Sequence, residues 1–185
     1  MEPDNAWTLS NRGVTYRMLE RYAEALVDLN RALELEPDNT FELRSRGATY
    51  RMLERYDEAQ ADLDQALILQ PNIDWYYYQR WLIYSARGES HAGDNDLARA
   101  IEIAKETYSK EPSDWRNSLN LTVYLIALGD DQGSLQLVQR AVSEKAPVSN
   151  LKETINDLDE FLSVVPDHQL AQKALSLLKS SIVDR

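Results

Sequence analysis

Two ladders of side chains recur at an interval of 34 residues: Trp7, Phe41 and Trp75, and Arg17 with Arg51. Aromatic faces and forked guanidinium groups together suit the recognition of peptide bearing acidic and apolar side chains. They do not suit bond-making. The two histidines, His91 and His168, lie far apart, with no cysteine, metal-binding His pair or nucleophile motif beside them. The chain is therefore expected to be no enzyme, with no catalytic residue, no metal ligand and no cofactor. Asp94-Asn95-Asp96 lacks the spaced oxygens and distal Glu of a calcium loop, and reads as the N-cap of a helix over 96–110. Gly88 and Gly93 form no phosphate-cradling motif.

The ladders are carried by a repeat. Residues 40–73 restate residues 6–39: Leu9/Leu43, Arg12/Arg46, Gly13/Gly47, Tyr16/Tyr50, Arg17–Tyr22 against Arg51–Tyr56, Ala25/Ala59, Leu29/Leu63, Ala32/Ala66 and Pro37/Pro71. A period of 34 rich in helix formers and closed by proline is the mark of a helical-hairpin solenoid. The order Leu9, Gly13, Tyr16, Ala25, Leu29, Ala32, Pro37, and its copy Leu43 to Pro71, resembles the tetratricopeptide repeat family. The resemblance is strong over 4–73, weaker to 146. It implies an all-α, right-handed superhelical solenoid of helix-turn-helix repeats, closed by a C-terminal pair of capping helices.

One solenoid domain is expected over 1–185, with repeats at about 6–39, 40–73, 74–114 and 115–146 and further helices at 149–164 and 167–181. The first pair is read at 5–18 and 22–35, with Asp4 as its cap. Gly13 should pack against Ala25 and Ala32, letting two backbones approach. Glu20 and Glu54 stand in the inter-helix turn where glycine is common, which suggests a differently shaped turn. In the third repeat Trp81 takes the place of the packing glycine, and Ala100, Ala104 and Pro112 arrive seven residues late. An inserted loop over 88–96 would absorb the delay, with Trp81, Tyr77 and Tyr84 filling a widened gap. Asn150 and Glu153 read as a capping pair for 149–164.

Composition narrows the partners. A net charge of −11 argues against nucleic acid. No window reaches the ~18 apolar residues of a membrane span. The absence of cysteine and of a leader pattern fits a cytoplasmic chain. Partners should thus be protein, with no nucleic acid and no membrane. Arg12, Arg46 and Arg80 are read as structural, pairing with acids such as Asp28 or Asp62.

The resemblance also implies that first helices line an inner groove, with ligand-facing side chains at set offsets. Carried onto this sequence, the groove residues are Trp7, Asn11, Arg17, Phe41, Arg44, Arg51, Trp75, Tyr78, Gln79, Arg116 and Asn120. A plainer reading has the aromatics seal the seams between repeats. Some relatives clamp a peptide C-terminus with Lys and Asn. The matching positions here, Ser10, Val14, Ser45, Trp75 and Gln79, hold no cation. The expected function is a protein-interaction module that binds an acidic and apolar segment in its concave groove. Two alternatives stand beside it. One is a sensor or regulatory domain of a larger protein, such as a bacterial signalling ATPase. The other is self-association through the uncapped N-terminal repeat.

Overall fold

The computed structural model describes residues 5–183, which hold ten helices and no strand. They divide into two compact units, one ending at Arg87 and the other beginning at Gly88. The first unit contains α1 (Ala6–Met18), α2 (Tyr22–Leu35), α3 (Thr40–Met52), α4 (Tyr56–Leu69) and α5 (Asp74–Ala86). The second contains α6 (Ser90–Lys110), α7 (Trp115–Leu128), α8 (Asp131–Ser143), α9 (Val148–Val164) and α10 (Gln169–Val183). No helix among the described residues is long and apolar enough to cross a membrane.

Local chemistry sets the helix ends. Asn5 caps α1 by accepting from the Thr8 amide at 2.7 Å, and Asn39 caps α3 by accepting from Phe41 at 3.1 Å. The expected cap, Asp4, lies outside the described residues. At the other end of α1, the Arg21 amide donates to Tyr16 at 2.9 Å and Glu20 to Arg17 at 3.0 Å. This closing pair of bonds requires a left-handed residue between them. Glu20 supplies it at φ 58, and Glu54 does the same after α3. The turn therefore keeps the shape that glycine would give it, and the glutamates bear the strain.

In the first hairpin Gly13 packs against Ala25 as expected, but its second neighbour is Leu29, and Ala32 clusters instead with Ala6 and Leu9. A Cβ on Gly13 would stand 2.8 Å from Leu29 Cγ and 3.2 Å from the Ala25 carbonyl oxygen. The Arg–Asp pairing is also present. Arg12 donates from Nε and Nη2 to Asp28 at 2.6 and 2.7 Å, and Arg46 to Asp62 at 2.9 and 2.6 Å. Both acids are buried. Burial pushes the Asp62 carboxyl up while Arg46 pulls it down, and the bond to Asp62 raises the Arg46 guanidinium in turn. Arg46 and Arg80 reach back a repeat as well, to Asn30 at 2.9 Å and Asp64 at 2.6 Å.

The third repeat departs from expectation. No loop spans 88–96: α6 begins at Ser90 and runs for 21 residues, against 14 in α2 and α4. The seven extra residues make two more helical turns, which bring a side chain back to nearly the same face. Gly93, Asp96, Leu97, Ala100, Ile101 and Ala104 accordingly form one buried stripe. Asp94, Asn95 and Asp96 therefore sit inside the helix and do not cap it. Trp81 stacks on Tyr78, with centroids 5.8 Å apart. Tyr77 and Tyr84 turn instead toward the second repeat: Tyr77 packs on the cluster of Leu33, Leu43, Ala66, Leu67 and Tyr76, and the Tyr84 hydroxyl accepts from Gln60 Nε2 at 3.2 Å.

In the second unit α7 lies against α6, α8 and α9, and α10 packs on α8 and α9. Residues 121–126 of α7 are all buried, which explains their unbroken run of apolar and small side chains. Gly129, at φ 83, ends α7 with the same bond pattern as Glu20, here without strain. α9 starts at Val148 behind Pro147 with no side-chain cap, so Asn150 and Glu153 lie within the helix.

A candidate protein-interaction face

α1 touches α3, and α3 touches α5, so the first helices of the first unit form a continuous wall. The aromatic ladder takes the same helical phase on each. Trp7 is 74% exposed and Phe41 43%, while Trp75 is half-buried against the Leu33–Tyr76 cluster. Arg44 lies over the Phe41 ring at 5.0 Å, close enough for a cation–π contact. Asn11 is exposed, its amide nitrogen donating to the Trp7 carbonyl at 2.8 Å.

The remaining residues fall at different depths. Arg17 is half-buried, and its Nε is buried with no hydrogen-bond partner. Arg51, which repeats it, is buried outright, with Nη2 3.6 Å from Met52 Sδ. Tyr78 and Gln79 are buried too, and Tyr78 meets Trp75 at 5.4 Å between ring centroids. These three lie beneath the accessible surface. Arg116 and Asn120 belong to the second unit; Arg116 is exposed and 3.7 Å from Glu153, and Asn120 is half-buried.

One charged group escaped the sequence reading. Glu42 is 2% exposed, and its Oε2 has no hydrogen-bond partner. Burial, and then the charge of Glu36, pushes its carboxyl up to about 7. The sequence signal is a charged residue one position before Leu43, where the first repeat has Thr8 and the third Tyr76. Both histidines have local roles. His91 is exposed beside Asp94 at 3.3 Å, and His168 Nδ1 accepts from the Ala171 amide at 3.2 Å. Among the described residues no three His, Cys, Asp or Glu side chains gather closely enough to hold a metal ion.

Residues 6–39, the first of the two near-copies, match the tetratricopeptide repeat family. That first hairpin is a tetratricopeptide repeat by this match. Solved tetratricopeptide proteins share the fold of this chain. One, from Thermus thermophilus, is 18% identical, with 94% of this chain and 98% of that chain aligned at a TM-score of 0.60. A further solved structure, of a mutant O-GlcNAc transferase from Thermobaculum terrenum, is 23% identical over 72% of this chain, at a TM-score of 0.54. The aligned part spans 25% of the transferase. At such identities the likeness is one of fold alone. No curated protein matches the chain.

Proposed function

We propose that this chain is a protein-interaction module whose first unit docks an extended acidic and apolar peptide across α1, α3 and α5. One observation carries the reading: Trp7 and Phe41 present exposed rings on touching helices, and Arg44 covers the second ring. An exposed tryptophan and phenylalanine so placed cost solubility unless something covers them. Arg44 adds a fork for a carboxylate beside an aromatic face for an apolar side chain. Arg17 and Trp75 extend the surface at either side. Arg51, Tyr78 and Gln79 hold it from below, and a preformed wall binds without first ordering itself.

The test is a fluorescence titration of the full chain with a synthetic peptide of alternating Glu and Leu. Trp7→Ala/Phe41→Ala/Arg44→Ala should weaken binding at least about tenfold, since two aromatic anchors and an arginine are lost. Unchanged affinity, with helicity retained, would reject the face. Amidating the peptide C-terminus should change nothing, because Ser10, Val14, Ser45, Trp75 and Gln79 supply no cation for a carboxylate.

A further inference from the structure

The hairpin tips of the first unit form an edge that neither the core nor the aromatic face uses. Thr15–Tyr22 and Thr49–Tyr56 are the longest unbroken match between the two repeat copies, yet the middle of that match lies in solvent. Met18 is 69% exposed, Leu19 61%, Met52 40% and Leu53 39%. Stacking of repeats does not cover this edge: α3 touches both α1 and α5, and its tip stays exposed all the same. Exposed positions elsewhere change between the copies, as at Ala23/Asp57, Val27/Ala61 and Glu34/Ile68.

Glu20 and Glu54 complete the two tips. The turn needs a left-handed residue, and glycine supplies it after α5 and α7, as Gly88 at φ 75 and Gly129 at φ 83. Glutamate, twice at φ 58, is therefore not what the turn requires. Its side chain does not hold the fold either. Both carboxylates are exposed, and among the described residues neither makes an ion pair or a side-chain hydrogen bond. The neighbouring cations are engaged elsewhere: Arg21 pairs with Glu24 at 2.8 Å and Arg55 with Glu58 at 2.7 Å, each lying over a tyrosine ring. Arg17 is half-buried and Arg51 buried.

Apolar side chains beside unpaired carboxylates select a partner that is itself apolar and basic. Anionic lipid and nucleic acid are repelled. Packed helices such as α1 and α3 lie about 8–10 Å apart, and seven residues of α-helix rise about 10.5 Å and return to the same face. A helix laid across the two tips thus offers residues i and i+7 to successive tips, and the flexible Met side chains adapt to it.

We propose that the tips of the first two hairpins are a docking edge for a basic amphipathic helix of a partner protein. Its apolar residues cover Met18, Leu19, Met52 and Leu53, and its Lys or Arg side chains meet Glu20 and Glu54. The edge lies at the opposite ends of α1 and α3 from Trp7 and Phe41 and does not depend on the aromatic face.

A labelled synthetic helix of Leu and Lys, with one Leu face bordered by Lys, tests this by titration into the full chain. Glu20→Gly/Glu54→Gly should weaken binding about fivefold, the loss of two exposed ion pairs, although glycine suits the turn. Glu111→Gln/Asp167→Asn removes two charges from exposed positions of the second unit and should change affinity less than about twofold in physiological salt. Leu19→Ser/Leu53→Ser, with helicity checked by circular dichroism, should weaken binding about tenfold. Trp7→Ala/Phe41→Ala/Arg44→Ala should bind this helix as the wild type does. Equal losses from the two acid pairs would reduce the effect to general attraction for an acidic chain and overturn the edge. Equal binding of a scrambled peptide without a Leu face would overturn the helical partner. A wild-type mass that grows with concentration in sedimentation, and is monomeric in Glu20→Gly/Glu54→Gly, would make a second copy the occupant and overturn the partner helix.

Discussion

Glu20 and Glu54 show how a single backbone angle carries cost without changing shape. Each holds φ 58, a conformation that costs an L-residue roughly 1–2 kcal/mol and glycine almost nothing. Part of the gain from glycine is lost to its freer unfolded chain, so Glu20→Gly and Glu54→Gly should each stabilise by about 0.5–1 kcal/mol. Denaturant melts would read this as a raised midpoint at constant slope; a lowered midpoint would contradict it. Glu42 is the opposite case, a side chain out of place. Its folded carboxyl titrates near 7 against 4.5 unfolded, so the folded state binds the extra proton between those values. Its contribution is fully present below about 4.5 and is lost as pH rises through about 7. Glu42→Gln should therefore stabilise by about 1–3 kcal/mol at pH 8, with the difference from wild type vanishing toward pH 4. A pH-independent difference would refute the titration.

Helices here are tied by close approach and by paired charge. Gly13 admits Leu29 and the Ala25 carbonyl oxygen at distances a methyl group cannot share. Gly13→Ala should cost about 1–3 kcal/mol although alanine is the better helix former, because α1 must then move off α2. A neutral substitution in a thermal melt would show that the hairpin has slack. Losing the Arg46 side chain strands the buried Asp62 and also releases Asn30, so Arg46→Ala should cost about 2–4 kcal/mol. Its counterpart Arg12, whose side chain is half exposed, should cost less. The order of the two melts checks this. α6 makes a different point. Its polar opening, with Gly93, has the composition of a loop, but two whole turns added to a helix preserve its buried stripe. Hydrogen exchange should therefore show protected amides from Asp94 onward; free exchange through Asp96 would restore the loop.

The same repeat sets out surfaces of different fate. On the first unit the aromatic ladder passes from exposed Trp7 to half-buried Trp75, so its ligand should depend most on the first two rungs. Trp7→Ala alone is expected to weaken the Glu–Leu peptide more than Trp75→Ala, when titrations of the two are compared. Equal losses would mean that burial along the ladder does not govern binding. Binding of the proposed peptide should also weaken with added salt, since its carboxylates would pair with the half-buried Arg44 beside the exposed Phe41 ring.

What the amino-acid order alone settles is the repeated local grammar. A period of 34, small residues at the hairpin contact, proline stops and Arg–Asp pairs all follow from short-range sterics and charge, and each is in place. Burial is another matter. Thr15 and Thr49, or Arg17 and Arg51, share their neighbours in sequence yet differ in exposure, because a side chain on one repeat is covered by a helix belonging to the repeat before it. Only the stacked structure decides which copies become core, which remain surface, and so which of the repeated residues a partner can reach.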